Sequence, residues 1–230
     1  MINNLKKGLL LRKKAVIFDL DGTLIDSIQD IALATNQVLK KLAYEQHPLN
    51  AYINFVGDGA MMLLKNALPK DVSEETLQKA LHLFKEIYGD KIHKYTKPYE
   101  GIYEMLDNIS HKELQLAVLS NKPHKFTVEF IEHFFHKYPF VEVHGQKENV
   151  QRKPNPQGLF NISQNLDIKI DDIVFIGDTP TDIQTAKNAG VTSIAVSWGY
   201  RGVEELQNSN PDIIVKDTKH LTKILLENNF

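Results

Sequence analysis

The stretch Ala15-Val16-Ile17-Phe18-Asp19-Leu20-Asp21-Gly22-Thr23-Leu24-Ile25-Asp26-Ser27 constrains this chain more than any other. An apolar run without alternation, closed by Asp and Gly, predicts a parallel strand buried on both faces. Ligands of open α/β sheets bind beyond the carboxyl ends of the strands, and Asp19 and Asp21 stand at that end. Two carboxylates so close repel each other and lose hydration unless a cation or a proton is shared. A hard, oxygen-seeking cation such as Mg²⁺ is the simplest partner. Side chains at i and i+2 point the same way in an extended chain, so the pair can share one site. A strand that ends in a polar Asp-Gly turn accounts for the same residues, and the rest of the chain separates the two readings.

Beyond Asp26 the chain reads as helical. Ser27 with Asp30 resembles a capping box. Ile28, Ile31, Ala32, Thr35, Val38, Leu39 and Leu42 then keep the i, i+3, i+4, i+7 spacing of an amphipathic helix. Further helices are expected from Pro48 through Phe55, from Met61 to Leu68 and from Ser73 onward, with Gly57-Asp58-Gly59 as a break. No strand is expected between Ser27 and about Lys94. After Pro98 and Gly101 the pattern alternates. Strands are expected at Leu114–Leu119, Phe140–Val143, Ile173–Ile176, Thr192–Val196 and Ile213–Val215. Helices are expected at Ile102–Ile109, from Pro123, at Pro156–Leu166, Thr181–Ala189 and Leu221–Leu226. Such alternation argues for a parallel sheet of βαβ units. The expected architecture is therefore α/β, a Rossmann-like parallel sheet with helices on both faces, plus a small all-α cap inserted after the first strand. The core comprises 1–26 and 96–230, and the cap 27–95.

Composition excludes several classes. The net charge of −2 supplies no basic field for nucleic acid and no polybasic membrane patch. With no cysteine there is neither a disulfide nor a thiolate metal site, which suits a cytoplasmic setting. No stretch approaches a membrane span. Leu9-Leu10-Leu11 is too short for a signal-peptide core and is ended by Arg12-Lys13-Lys14, so residues 1–13 read as a loosely held leader. The 9 histidines have no metal-ligand spacing, and His124 reads as a surface residue at a helix start.

Three further sets of polar residues fall at strand ends. Ser120-Asn121 follows the strand ending at Leu119, and a hydroxyl with an exposed amide can hold one phosphate oxygen; such residues also dominate ordinary turns. Lys153, between Arg152 and the prolines of Pro154-Asn155-Pro156, sits in a stiff loop where its charge could neutralise phosphate oxygens. A solvated surface lysine is the alternative. Gly177-Asp178-Thr179-Pro180-Thr181-Asp182 adds two acids, of which Asp182 also suits a helix start.

Taken in order, these four motifs resemble those of the haloacid dehalogenase-like hydrolase superfamily, and the likeness runs from Ala15 over nearly the whole chain. It is nearest to the phosphoglycolate phosphatase-like branch, through Asp19 to Ser27, Phe55-Val56-Gly57-Asp58-Gly59 and Ser120-Asn121-Lys122-Pro123. The resemblance implies a Mg²⁺-dependent phosphatase acting on a small phosphomonoester, with phosphoglycolate as first choice. It implies Asp19 as nucleophile, forming an aspartyl-phosphate, and Asp21 as acid and then base. Asp19, the Asp21 carbonyl and Asp178 would bind Mg²⁺, while Ser120, Asn121 and Lys153 would hold the phosphoryl group. Asp182 and Thr23 would support these from behind. Gly57 and Gly59 would let cap backbone approach the substrate. The acid at Asp21 argues against dehalogenation, because dehalogenases of the superfamily lack it.

Some features depart from the pattern. Glu100-Gly101 stands where Pro-Gly is common, and Ser197-Trp198-Gly199-Tyr200-Arg201 is less typical. Trp198 reads as core packing, and Arg201 either as a surface charge or as a bidentate partner of a substrate carboxylate. Lys65 reads as a solvated lysine rather than a Schiff-base former. Rival activities are a sugar-phosphate mutase (β-phosphoglucomutase-like), a pyrophosphatase or a non-catalytic phosphate-binding module. The expected partner is a small phosphorylated metabolite, with no nucleic acid or membrane, and the expected state is a monomer or homodimer.

Overall fold

The computed structural model describes residues 13–91 and 93–227. Its centre is a six-stranded, all-parallel sheet of β1 (Ala15–Phe18), β4 (Gln115–Pro123), β5 (Phe140–Gln146), β6 (Ile173–Gly177), β7 (Thr192–Val196) and β8 (Ile213–Val215), in the order β5-β4-β1-β6-β7-β8. The first strand is thus central. Val16 and Phe18 join one apolar layer, Ala15 and Ile17 the other, and all four are fully buried. That is why the run carries no alternation. One layer is completed by α5 (Ile102–Ile109), α6 (His124–Phe135) and α10 (Thr218–Glu227); the other by α7 (Gln157–Asn165) and α8 (Pro180–Ala189). The order reverses at β1, between β4 and β6, so a crevice opens at the carboxyl ends of these strands.

The helical excursion leaves and returns through a short antiparallel ribbon. There β2 (Ile25–Asp26) pairs with β3 (Lys97–Pro98). Between them lie α1 (Ile28–Lys41), α2 (Tyr52–Phe55), α3 (Ala60–Ala67) and α4 (Glu74–Lys91), with α1 packed chiefly on α4. No described residue between Ser27 and Thr96 is in a strand, as expected. No described helix is long and apolar enough to cross a membrane.

Several local expectations change. Ser27 makes no capping bond; its hydroxyl donates to Asp21 instead. Asp30 accepts from the Tyr95 and Thr96 amides and the Thr96 hydroxyl, tying α1 to the returning chain. The segment from Pro48 to Phe55 divides into a 3₁₀ turn at Leu49–Ala51 and α2. Strand β4 runs on to Pro123, so Ser120 and Asn121 lie inside it rather than after it. A helix α9 (Val203–Asn208) was not expected, because its six residues are too few to display a period. Residues 1–12 of the expected leader lie outside the described residues. Lys13 is not loose: it is buried and its ammonium donates to the Asp171 carbonyl at 2.5 Å.

Candidate active site

The crevice collects acids that lie far apart in the sequence. Asp19 extends β1, its amide donating to the Ile176 carbonyl of β6 at 2.8 Å. Asp178 follows β6, and Asp182 lies in the first turn of α8. Carboxylate oxygens of Asp19, Asp178 and Asp182 lie within 4.8 Å of one another, and all three residues are buried. Asp182 closes a capping box with Thr179, accepting from its amide at 3.0 Å and its hydroxyl at 2.7 Å. Asp182 is thus both a helix-start residue and a member of the site, since its other oxygen takes the Lys153 ammonium at 2.6 Å.

Lys153 is not a solvated lysine. Its side chain is 3% exposed and its ammonium also stands 2.9 Å from Asp19 Oδ1. The ammonium's hydrogen bond is aligned on Asp182, so Asp19 Oδ1 has a charged neighbour but no aligned donor. Burial pushes the Asp19 carboxyl up to about 7; Lys153 opposes the rise and Asp182 adds to it. Burial, then Asp182 and Asp19, likewise raise Asp178, although the Tyr200 amide and the Thr23 hydroxyl bond its oxygens at 2.8 Å and 3.2 Å. Burial works against the Lys153 ammonium, but Asp182 and Asp19 outweigh it and hold its pKa above the ordinary value. Buried acids held this far above their usual range, with one lysine between them, form a hard-oxygen set short of positive charge. That donor set fits a divalent cation.

Asp21 has a different environment. It lies outside the buried acid triad and is bonded by the Ser27 hydroxyl and by Lys122, whose ammonium is 2.9 Å and 3.1 Å from its two oxygens. Lys122 also donates to the Tyr88 hydroxyl at 2.7 Å and lies over the Tyr88 and Phe130 rings. Sequence reasoning missed Lys122 as a site residue. The available signal was a lysine beside an apolar strand, and the structure buries it. Tyr88 and Phe84 were legible only as residues of the helix expected from Ser73 onward.

The loop Leu20–Ile25 needs glycine at its centre. Gly22 has φ +86°, and a Cβ there would stand 2.6 Å from Asp178 Cγ. The loop Ser197–Arg201 closes over it, Trp198 Nε1 donating to the Thr23 carbonyl at 3.0 Å. Trp198 is thus partly buried packing, as expected, with a polar tether. Arg201 is neither a free surface charge nor free for a ligand. Its guanidinium donates to the Ile53 and Val56 carbonyls, the latter at 2.9 Å, and pairs with Glu205 at 3.3 Å.

Asn121 is buried, not exposed. Its amide donates to the Gly57 carbonyl at 3.1 Å and the Lys153 carbonyl at 3.2 Å, and its Oδ1 accepts from the Lys153 amide at 2.9 Å. Its side chain therefore pins the lysine loop and the Gly57 loop. Ser120 is buried beside it. A Cβ on Gly59, at φ +85°, would approach the Asn121 carbonyl to 3.0 Å, so this turn lies close against β4. Lys65 is exposed, and His124 opens α6 with its Nδ1 accepting from the Gly145 amide. Between sheet and helices lies a small, partly enclosed cavity. Asp19, Asp21, Ser120 and Lys122 line it from the sheet, and Val56, Gly59, Leu63 and Phe84 from the helices.

The sequence and the fold are those of a hydrolase family. Residues 16–196 match the haloacid dehalogenase-like hydrolases, and the chain belongs to that family. A phosphoglycolate phosphatase of Vibrio parahaemolyticus serotype O3:K6 is 33% identical over 219 residues, covering 92% of this chain and 96% of the relative. One from Pseudomonas syringae pv. tomato is 31% identical, over 90% and 78% respectively. Among solved structures, a predicted phosphoglycolate phosphatase from Haemophilus somnus 129pt superposes with a TM-score of 0.87 at 27% identity, over 94% of this chain and 99% of that one. The chain is an enzyme of the hydrolase class, and phosphatase is the designation these relatives share.

Proposed function

We propose that this enzyme is a Mg²⁺-dependent phosphatase that hydrolyses a small phosphomonoester, phosphoglycolate as first choice, through an aspartyl-phosphate. The observation that carries this reading is the separation of the two motif acids. Asp19 joins a buried acid cluster with Lys153, while Asp21 faces the cavity beside Lys122 and Ser27. The relatives' names point the same way.

In this reading the Asp19 carboxylate attacks phosphorus, with Lys153 and Ser120 holding phosphoryl oxygens. The P–O bond to the leaving alcohol breaks as Asp21 gives its proton to that oxygen. Water then attacks the phosphorus of the acyl phosphate, losing a proton to Asp21 and releasing inorganic phosphate. Asp19, Asp178 and the Asp21 carbonyl would hold Mg²⁺, which when bound offsets the clustered negative charge and draws electrons from phosphoryl oxygen. Asp182 and Thr179 keep Lys153 in place; Thr23 does the same for Asp178. Residues 27–95 act as a cap over the core of 1–26 and 96–230, with Gly57 and Gly59 at the substrate. Closure keeps water from the phosphoryl group.

The test is phosphate release from p-nitrophenyl phosphate with Mg²⁺ by the wild type, Asp19→Asn and Asp21→Asn. An active wild type, an inert Asp19→Asn and a crippled Asp21→Asn that still binds Mg²⁺ are expected. Equal activity in wild type and Asp19→Asn would sink the reading.

A further inference from the structure

Within the cavity, charge is distributed unequally. Its described lining includes two acids, Asp19 and Asp21, and a single cation, Lys122. Lys153, bonded to Asp182 and 2.9 Å from Asp19, serves the phosphoryl group in the proposed reaction and is not part of the lining toward the helices. The helical side is largely apolar: Val56, Ala60, Leu63 and Phe84. An anion brought into such a space without a partner loses its hydration uncompensated; Ser120, Asn121, Tyr88 and Tyr200 offer neutral donors in the lining, and Lys122 is its one positively charged side chain.

Lys122 is built to receive it. Its side chain is 3% exposed and its ammonium is fixed from three directions: by Asp21, by the Tyr88 hydroxyl at 2.7 Å, and by the Tyr88 and Phe130 rings at 4.7 Å and 4.6 Å. The carboxylate it touches, at 2.9 Å, is the one that serves the leaving oxygen in the proposed reaction. A group bonded one or two carbons from that oxygen therefore lies in the ammonium's neighbourhood. Tyr88 belongs to α4, so the same lysine also links the helical segment to the sheet.

We propose that Lys122 is a specificity residue, and that it selects phosphomonoesters whose leaving alcohol carries an anionic group one or two carbons from the ester oxygen. This rests on the phosphatase reading and adds the group that recognises the leaving side. A lysine is a compact point charge with rotatable donors, suited to a small anion that arrives and departs with each turnover.

The experiment compares kcat/KM for 2-phosphoglycolate with that for 2-hydroxyethyl phosphate, a near-isostere with a neutral leaving group. The enzymes are the full-length wild type, Lys122→Met and Lys122→Gln, in Mg²⁺. The glutamine keeps a donor for Asp21 and Tyr88 in case the apolar replacement fails to fold. The wild type should favour the anionic ester by at least about tenfold, the lower end of what a hydrogen bond to a charged group contributes. Both variants should lose that preference, whatever their absolute rates. An equal fall on both esters, with the ratio kept, makes Lys122 only a support for Asp21 and overturns the proposal. A wild type that hydrolyses both equally also overturns it and leaves the phosphatase reading standing. No phosphate from either ester overturns both.

Discussion

Replacing Gly22 by Ala should damage stability and activity together, and two other glycines separate the causes. Gly190, at φ +75°, would have nothing within 4 Å of an added Cβ, so Gly190→Ala carries backbone strain alone. That costs about 1–2 kcal/mol. Gly199 lies outside the left-handed region, but its Cβ would approach the Gly22 carbonyl and Asp178 more closely than 3.0 Å. The carbonyl is backbone and cannot swing away, so Gly199→Ala carries overpacking alone, about 1–3 kcal/mol. Gly22→Ala carries both, about 2–5 kcal/mol in sum. For a chain of this length each kcal/mol lowers the melting temperature by about 2–4 °C. Gly190→Ala should therefore melt about 2–8 °C low and Gly22→Ala about 4–20 °C low. Gly22→Ala and Gly199→Ala also push on the Asp178 carboxylate, and a displacement of about 1 Å in such a site costs about a hundredfold in turnover. Thermal melts with steady-state phosphatase assays provide both readouts. A Gly199→Ala variant that melts and turns over like wild type would refute the reasoning, as would a Gly22→Ala no worse than Gly190→Ala.

Two other outcomes are expected from the same geometry. Burial raises the Asp19 carboxyl from 3.8 to about 7, so the folded chain binds its proton more tightly than the unfolded chain. In EDTA, stability from this group should be highest below about pH 4 and fall as pH rises to about 7. Melts across that range should show the fall in wild type and a flatter profile in Asp19→Asn; identical profiles would contradict the assignment. Arg201→Met removes the guanidinium donors to the Ile53 and Val56 carbonyls, one of them at 2.9 Å. At about 1.5–3 kcal/mol per charged hydrogen bond, the loop bearing Gly57 and Gly59 should loosen and KM should rise more than kcat falls. An unchanged KM would show that this tether does not govern the cavity.

The local pattern carried most of the fold. The unbroken apolar runs of β1 and β6 announced strands buried on both faces, and the spacing in Ile28–Leu42 announced α1, because these patterns repeat within a few residues. Asp19, Asp21 and Asp178 were legible as acids at strand ends for a related reason, since parallel strands with crossover helices bring their carboxyl ends to one edge; Lys153 was set apart from a solvated lysine only by the family resemblance. Capping was less legible. The spacing of Ser27 and Asp30 fits a box, yet each side chain found a partner beyond the helix, at Asp21 and at Tyr95–Thr96.

What only the tertiary structure decided is who pairs with whom. Lys122 and Asp21 are 101 positions apart, and Arg201 and Val56 145 apart. Nothing near any of the four in the chain marks the other. Asn121 would serve a turn as well as it serves the Lys153 loop, until the sheet order puts β4 beside that loop. Residue type and period express what a side chain prefers within one element. The partner a buried charge must have is chosen by the packing of elements, here the β4-β1-β6 order and the α4 face laid over it.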